Sequence, residues 1–488
     1  MIDHLLPLLV AAPLLASALP LFVAVRSRWL ARWLTVTALV GQFALAAVLA
    51  WVVYATGSVS YVVGSIPPAF GIGLFADRLT ATLGLLVASG ALAALLTDDG
   101  SRSGPEYALW LLFVAGLSGV VVTADVFNLY VFLEISGLAA YAMVASARGV
   151  DPALAALKYL LVGTVGATLY LLGVGYAFVA TGTLAVADLA PGLAAAGHDS
   201  TLVVTAFVLM VLGLSVKLAL FPLHAWKPDA YAAARPTVAT VLAALGSTVA
   251  GYALVRIVYD AFTVAFFEAV PALRILLVVA GATSVVAGGL LALRARDVRR
   301  LLAYSSVSQF GLFGLGVALA TPLSVTGALV VLIGHAVAKG GLFVAVGSVA
   351  RRHDATVVED YAGLGDREPL TAAAVAVLGV SLVGLPPTVG FAGKWYLALG
   401  AIEAGSWLVA TVVLASTMLS LAYVGRLVER CYRGGADAAS PARLSTDGGR
   451  VRAIAPVIVV GAAVLIVALG LGSSALAAWF EPVVEGWL

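Results

Sequence analysis

Four of the five lysines in this chain lie inside or at the start of apolar stretches long enough to cross a membrane. They are Lys158, Lys217, Lys339 and Lys394, and Glu134 is enclosed by apolar residues in the same way. An ionised side chain at the centre of a bilayer costs roughly 2.5–3.5 kcal/mol on insertion scales. Such residues persist where they pair with one another or line a hydrated path, so their presence indicates a protein that moves charge.

Glu134 and Lys217 each lie near the middle of an apolar segment, in two segments that are close in the chain. We predict that they form a buried ion pair. Burial lowers the proton affinity of a lysine and a nearby carboxylate raises it. Movement of Glu134 toward or away from Lys217 would therefore change whether Lys217 holds its proton. The alternative is a static pair that joins two helices, although a buried pair is weak evidence for stability.

His335 and Lys339 are four residues apart and therefore lie on one face of a helix. Histidine titrates near neutral pH, so this pair suits a proton relay, whereas a histidine bonded to a backbone carbonyl is the simpler structural role. A preceding segment carries four polar side chains that can order water or serve only in packing: Ser305, Ser306, Ser308 and Gln309.

Lys394 has no carboxylate in its own segment before Glu403, which favours a terminal proton site over a lysine that extends to the lipid headgroups. Lys158 begins its segment. It is interpreted equally well as an anchor at the membrane interface or as a functional neighbour of Glu134. Asp125 precedes another segment, as a helix cap or a vestibule acid.

The composition is that of an all-α polytopic membrane protein. Hydrophobic residues make up 62% of the chain, charged residues only 11%, and the mean hydropathy is +1.09. Soluble domains contain about 25% charged residues. Nothing in the composition indicates nucleic acid, and no ATP-binding loop or other cofactor signature is present. The single Cys431 excludes an internal disulfide, and the sequence leaves metal binding open.

We predict about 14 membrane-spanning helices from segment length and hydropathy. They cover residues 5–25, 31–55, 78–97, 107–124, 127–146, 154–181, 201–220, 237–259, 271–293, 301–320, 323–350, 370–402, 407–429 and 453–478. Proline removes a helix hydrogen bond, so Pro222 predicts a broken seventh helix, and Pro386 with Pro387 predicts a broken twelfth.

Breaks that are five helices apart predict two inverted five-helix repeats, a recurring design in transporters. The predicted divisions are a three-helix segment over residues 1–106, a first repeat over 107–262 and a second over 263–432. A C-terminal loop and last helix follow over 433–488.

The arginines fall mainly in alternate loops, which by the positive-inside rule face the cytoplasm. This predicts a multi-pass protein of the cell membrane with both termini outside. The loops in question carry Arg26, Arg28, Arg32, Arg102, Arg148, Arg235, Arg294, Arg296, Arg299, Arg300, Arg351, Arg352, Arg367, Arg430, Arg433, Arg443, Arg450 and Arg452.

Four ordered motifs resemble one family. They are DVFNLYVFLE at Asp125–Glu134, FPLHAWKPDAY at Phe221–Tyr231, HAVAKGGLF at His335–Phe343 and GFAGKWYL at Gly390–Leu397. The resemblance is to the antiporter-like subunits of respiratory complex I and the multisubunit Mrp-type cation/proton antiporters. It covers residues from about 75 to about 430 and is strongest to the D-type component of the Mrp antiporters. It implies that Glu134, Lys217 and Lys394 transfer protons.

The sequence departs from this family at two positions. The resemblance implies a lysine in the middle of the eighth helix, where this chain has Thr248, which binds water but carries no charge. Lys227 stands where the family has an apolar residue. We therefore expect a central relay that runs through water near Thr248 or is altered in its coupling.

The resemblance implies a proton-translocating subunit of a multisubunit Na+/H+ antiporter. The alternative is an N- or M-type subunit of a redox-driven complex such as complex I or a membrane-bound hydrogenase, and a third is a scaffold that no longer conducts. The expected partners are the other subunits of the complex, lipid, protons and Na+, with no nucleic acid.

Overall fold

The computed structural model describes residues 4–63, 72–147, 149–434 and 449–488, without the side chains of residues 449–453. Nearly all of this is helical. The α-helices are α1 Leu5–Ala16, α2 Leu19–Val23, α3 Arg28–Thr56, α4 Arg78–Leu96, α5 Gly104–Val122, α6 Val126–Ala145, α7 Val150–Thr181, α8 Val186–Ala196, α9 Thr201–Leu218, α10 Trp226–Ala233, α11 Pro236–Val241, α12 Ser247–Arg256, α13 Thr263–Ala269, α14 Pro271–Arg294, α15 Val298–Leu319, α16 Pro322–His353, α17 Leu364–Arg367, α18 Pro369–Val383, α19 Val389–Glu403, α20 Trp407–Tyr432, α21 Gly449–Leu471 and α22 Ser473–Glu485. Two π-helical turns, Leu242–Gly246 and Ile257–Phe262, flank α12, and a 3₁₀ turn covers Val358–Tyr361.

Within the described ranges, 13 helices or joined helices are long and apolar enough to cross a membrane. The remaining predicted crossing, the twelfth, consists of the shorter helices α18 and α19. The polytopic all-helical architecture is therefore confirmed, and the observed bounds of most spans lie within a few residues of the prediction.

Three features were missed by the sequence analysis. Strands β1 Val59–Val62 and β2 Gly73–Ala76 form a small antiparallel ladder in which Val59 pairs with Ala76. The helix α8 lies between two spans, and the last predicted span ends at Leu471 and continues as the separate α22. Elements of four to thirteen residues carry too little periodicity to stand out beside long apolar runs.

Both predicted helix breaks are present. Helix α9 ends at Leu218 and helical structure resumes at Trp226, while α18 ends at Val383 and α19 begins at Val389. Each break starts with a left-handed residue, Ala219 at φ 61° and Gly384 at φ 85°. A left-handed residue ends a helix because it turns the following amide out of the helical hydrogen-bond register.

The two groups of five spans pack in the same order. In the first group α5 packs on α6, α6 on α7, and α7 on both α9 and α10; in the second α14 packs on α15, α15 on α16, and α16 on both α18 and α19. The groups also begin at opposite ends of the molecule. Glu106 at the start of α5 pairs with Arg235, whereas Arg274 at the start of α14 donates to carbonyl oxygens at the far end of α15.

Loops that the arginine pattern assigns to one side do meet at one end of the molecule. Arg300 pairs with Asp229 at 3.0 Å, and Arg426 donates to the carbonyl oxygen of Leu293 at 2.8 Å. Arg148 and Arg443, and the side chains of Arg450 and Arg452, lie outside the described residues. The assignment of this end to the cytoplasm stays a prediction.

Helices α12, α15 and α16 are buried along almost their whole lengths. Polar residues on them therefore face other helices rather than lipid. This central layer positions the residues described next.

Candidate functional site

The structure brings Glu134 and Lys217 together, from α6 and α9. The Lys217 ammonium nitrogen donates to Glu134 Oε1 at 2.8 Å and to the Tyr141 hydroxyl at 3.1 Å. The side chains of Glu134 and Lys217 are 17% and 10% exposed, so the pair is largely enclosed. Tyr141 lies seven residues after Glu134 and thus on the same helical face, a signal that sequence reasoning missed.

The space for the Lys217 ammonium depends on a glycine. A Cβ on Gly137 would lie 2.9 Å from the Lys217 nitrogen, closer than side-chain atoms pack. On the far side the Trp226 ring stacks on Tyr159 at 4.0 Å and donates from Nε1 to the carbonyl oxygen of Val216. These contacts fix the end of α9 that carries the lysine.

A small cavity of about 20 Å³ adjoins Lys217 and is also lined by Gly137, Trp226 and Ser247. About 10–15 Å³ is enough to hold one water molecule where polar partners are present. The Ser247 hydroxyl, next to the cavity, donates to the carbonyl oxygen of Lys217 at 3.1 Å. The cavity therefore extends the polar surroundings of Lys217 toward the start of α12.

In the second repeat Lys339 is fully buried and has no carboxylate within ion-pair distance among the described residues. Its ammonium nitrogen donates to the Leu302 carbonyl oxygen at 2.7 Å and to the Ser305 hydroxyl. His335 lies one turn away, with its ring 4.7 Å from that of Phe310. Neither ring nitrogen of His335 meets hydrogen-bond geometry with a described residue.

Of the four polar residues on α15, only Ser305 contacts a buried lysine. Ser306 and Ser308 donate to backbone carbonyl oxygens, as packing residues of membrane helices commonly do. Gln309 donates to the carbonyl oxygen of Leu382 at 3.1 Å and so ties α15 to the end of α18.

Lys394 is buried and has only neutral oxygens near its nitrogen among the described residues. It donates to the carbonyl oxygen of Val383 at 2.8 Å and lies 3.4 Å from the Ser420 hydroxyl. One turn beyond Ser420, the buried Tyr423 hydroxyl has no described hydrogen-bond partner. Tyr423 is a second tyrosine that sequence reasoning missed.

Lys158 does not join this interior set. Its side chain is 51% exposed and pairs at 2.9 Å with Asp229, which also binds Arg300. Of the two interpretations offered for Lys158, the structure shows contact with Asp229 rather than Glu134. The relative rotation of α6 and α7 decides this, and a single sequence does not encode that angle.

Thr248 and Asp125 make local hydrogen bonds. The buried Thr248 hydroxyl donates to the Ala244 carbonyl oxygen of its own helix at 2.8 Å. Asp125 accepts from the Asn128 amide at 2.7 Å, so it is the cap of α6. Burial raises the pKa of Asp125 even though that hydrogen bond acts against the rise.

Lys227 is the interior lysine whose contacts the sequence did not anticipate. It is fully buried, and its nitrogen donates to the Leu218 carbonyl oxygen at 2.8 Å. Its unusual place between a tryptophan and a proline was the available signal. Within the described residues no cluster of three His, Cys, Asp or Glu side chains suited to a metal ion is found.

These elements define a class: a polytopic helical membrane protein with enclosed amines distributed along its centre. The transmembrane family described as NADH:quinone oxidoreductase/Mrp antiporter matches residues 123–420, and the chain belongs to this family.

Relatives and a solved structure extend this assignment. The N-type subunit of the NADH-quinone oxidoreductase of Desulforudis audaxviator (strain MP104C) is 43% identical over 442 residues, which are 87% of each chain. The D-type component of the Na(+)/H(+) antiporter of Bacillus subtilis (strain 168) is 29% identical over 438 residues, 88% of this chain and 87% of that one. A chain of the membrane-bound sulfane sulfur reductase, an archaeal respiratory membrane complex, matches with a TM-score of 0.90 at 29% identity. The match covers 99% of the present chain and 100% of the matched chain of that complex.

The chain is therefore an antiporter-like, proton-translocating subunit of a multisubunit membrane complex. The comparisons favour the redox-driven alternative over the Na+/H+ antiporter, which the sequence analysis preferred, because the N-type relative is similar at 43% identity and the D-type relative at 29%.

Proposed function

We propose that this chain is the N-type proton-translocating subunit of a redox-driven, quinone-linked membrane complex. The observation that carries the transport role is the enclosed Glu134–Lys217 pair, at 2.8 Å, followed by buried amines that have no carboxylate partner among the described residues. The 43% identity to an N-type subunit over most of both chains supports the type of complex.

In this proposal Glu134 controls the charge on Lys217. With the carboxylate at hydrogen-bond distance the ammonium form is stabilised, and with the carboxylate withdrawn a buried ammonium is unfavourable and releases its proton. Tyr141 donates or accepts at the same nitrogen and can hold the amine in place while Glu134 moves.

The released proton passes to the second repeat. His335 and Lys339 accept it there, and Lys394, on the half-helix after the second break, is the last enclosed amine of the route. Thr248 lies beside this route as a water-ordering hydroxyl. Lys158, with Asp229, belongs to the entrance at the arginine-rich end.

We further propose that the complex lies in the cell membrane, with the arginine-rich end in the cytoplasm and lipid around the outer helices. The other subunits are the partners that supply redox energy. No cofactor is assigned to this chain.

Lys217→Ala tests the proposal in the assembled complex, reconstituted in vesicles that report internal pH with a dye. The expected result is reductant-driven electron transfer to quinone with proton uptake reduced at least tenfold. Arg433→Met is the matched control, because Arg433 is a mostly exposed cation that pairs with Glu429 on α20. Normal proton uptake by the Lys217→Ala complex would reject the proposal.

The similarity to a D-type antiporter component over 88% of this chain makes Na+/H+ exchange the second candidate. A Na+ pulse applied to the same vesicles without reductant separates the two. Proton movement that follows Na+ and needs no reductant would establish the antiporter and exclude the redox-driven assignment.

A further inference from the structure

Lys227 and Lys394 occupy matching places in the two repeats. Each lies on the half-helix that follows a break, Lys227 on α10 and Lys394 on α19. Each donates at 2.8 Å to the carbonyl oxygen of the last residue before the break, Leu218 in one case and Val383 in the other. The residue after each of these carbonyls is the left-handed one that ends the helix.

The nitrogen of Lys227 is enclosed by aromatic rings in the protein interior. The nitrogen lies 5.6 Å from the Trp226 ring, 5.9 Å from Tyr231 and 4.8 Å from Phe310. No carboxylate pairs with it among the described residues. Aromatic faces and one helix-end carbonyl stabilise a cation, but less than a paired carboxylate does.

Lys227 also adjoins the relay residues of the second repeat. The Phe310 ring lies against both the Lys227 nitrogen and the His335 ring. Lys227 and His335 contact the same buried ring, and two charges in the interior disfavour each other, so we expect only one of these bases to carry a proton at a time.

On its other side Lys227 follows directly after Trp226, which lines the small cavity at Lys217. The Lys227 nitrogen donates to the carbonyl oxygen of Leu218, the residue after Lys217, and lies 4.8 Å from the Phe310 ring that packs on His335.

We propose that Lys227 is a proton-carrying residue that connects the two repeats. This rests on the proposed transport function and adds a member to its route. The neutral amine of Lys227 accepts one proton from the Lys217 side, by way of water in the cavity that Lys217 and Trp226 line, and gives one proton to a ring nitrogen of His335. One proton moves per cycle, and no electron or other group is transferred.

A structural cap would need only the positive charge, so arginine distinguishes the two roles. Lys227→Arg keeps a cation near the carbonyl and the rings, but a guanidinium does not release its proton in proteins. We expect an assembled complex with normal electron transfer and proton uptake reduced at least tenfold. Wild-type proton uptake by the arginine variant would overturn the proposal.

A second site allows a rescue. Helices α12 and α16 run antiparallel, since Gly251 faces Leu332 and Ala244 faces Gly340. Thr248 therefore lies opposite His335, and a lysine there presents its amine to the same histidine. We expect Lys227→Met to abolish proton uptake and the double variant with Thr248→Lys to restore a measurable part of it.

The outcomes separate this inference from the function on which it rests. Uptake lost in Lys217→Ala but normal in Lys227→Met would leave the transport proposal intact and reject the role of Lys227. Failure of Lys227→Met to assemble, or no recovery in the double variant, would make Lys227 a structural cap. Recovery of uptake in the double variant is the result that a cap does not produce.

Discussion

At the scale of single residues, the buried amines differ in one respect that decides their roles. Lys217 has a carboxylate within 2.8 Å, whereas Lys227, Lys339 and Lys394 contact only neutral oxygens within the described structure. A carbonyl oxygen accepts a hydrogen bond from either the amine or the ammonium form, so it holds the nitrogen without fixing its charge. In the proposed mechanism Lys217 is therefore the point at which charge is controlled.

Substitution of Glu134 tests this control. Glu134→Gln keeps the shape and a hydrogen-bond acceptor but removes the negative charge, so we expect proton uptake to fall at least tenfold. Glu134→Asp keeps the charge one methylene further from Lys217, and we expect partial activity. Vesicle proton uptake measures both, and a glutamine variant that performs like the wild type would show that the pair is only structural.

Gly137→Ala tests the geometry around the pair. The added methyl would lie 2.9 Å from the Lys217 nitrogen, which must then move away from Glu134 or Tyr141. We expect proton uptake to fall several-fold while the complex still assembles. Gly425→Ala is the control, because a Cβ there meets nothing within 4 Å. Equal uptake in the two variants would contradict the tight fit at Gly137.

At the scale of elements, the breaks in the seventh and twelfth spans position the lysines. The freed carbonyls of Leu218 and Val383 accept from Lys227 and Lys394, which meets the need of helix-end groups for hydrogen-bond partners. An unbroken helix would use those carbonyls for its own backbone. The breaks therefore provide the oxygen ligands of two buried amines.

Gly384→Ala tests the second break. Gly384 has φ 85°, and a Cβ there would lie 2.6 Å from Cδ of Lys394. A left-handed alanine costs roughly 1–2 kcal/mol, and the lysine stem must also shift. We expect a lower melting temperature of the complex and reduced proton uptake.

The first break supplies the matched control. Ala219 already has a positive φ of 61°, so Ala219→Gly relieves backbone strain at the equivalent position. We expect normal or slightly higher thermal stability and unchanged uptake. A loss of stability in the glycine variant as large as that in Gly384→Ala would contradict the conformational argument.

The elements show why part of the site was predictable and part was not. Long apolar runs indicate membrane spans, and internal prolines indicate breaks in them. A charged residue in the middle of a span marks a site regardless of how the helices pack. Partners depend on helix rotation, which a single sequence leaves undefined. The sequence analysis offered Glu134 as a neighbour of Lys158, but Lys158 pairs with Asp229. The contact of Lys227 with the Leu218 carbonyl was not predicted.

At the scale of the whole molecule, each repeat contains one helix break and its own buried lysines. The Glu134–Lys217 pair belongs to the first repeat, and His335, Lys339 and Lys394 belong to the second. The proposed route across the membrane therefore includes a lateral step between the repeats. The contact of Lys227 with Phe310 on α15 lies at that junction.

The two ends of the molecule carry exposed residues by which their orientation in the membrane can be measured. Arg296 is exposed in the loop before α15, whose residue Arg300 pairs with Asp229 just after the first break. Asp199 is exposed just before α9, and α9 with α10 runs from there toward Asp229. Arg296 and Asp199 therefore lie at opposite ends of the same bundle.

Cysteine labelling in intact cells measures which end is which. In a Cys431→Ser background, Arg296→Cys should react with an impermeant maleimide only after the cells are opened, and Asp199→Cys should react from outside. The reason is that the arginine-rich loops stay on the cytoplasmic side during insertion. Labelling of both positions from one side would contradict the number of membrane crossings between them. The reverse pattern would place the arginine-rich end, with Lys158 and Asp229, outside the cell.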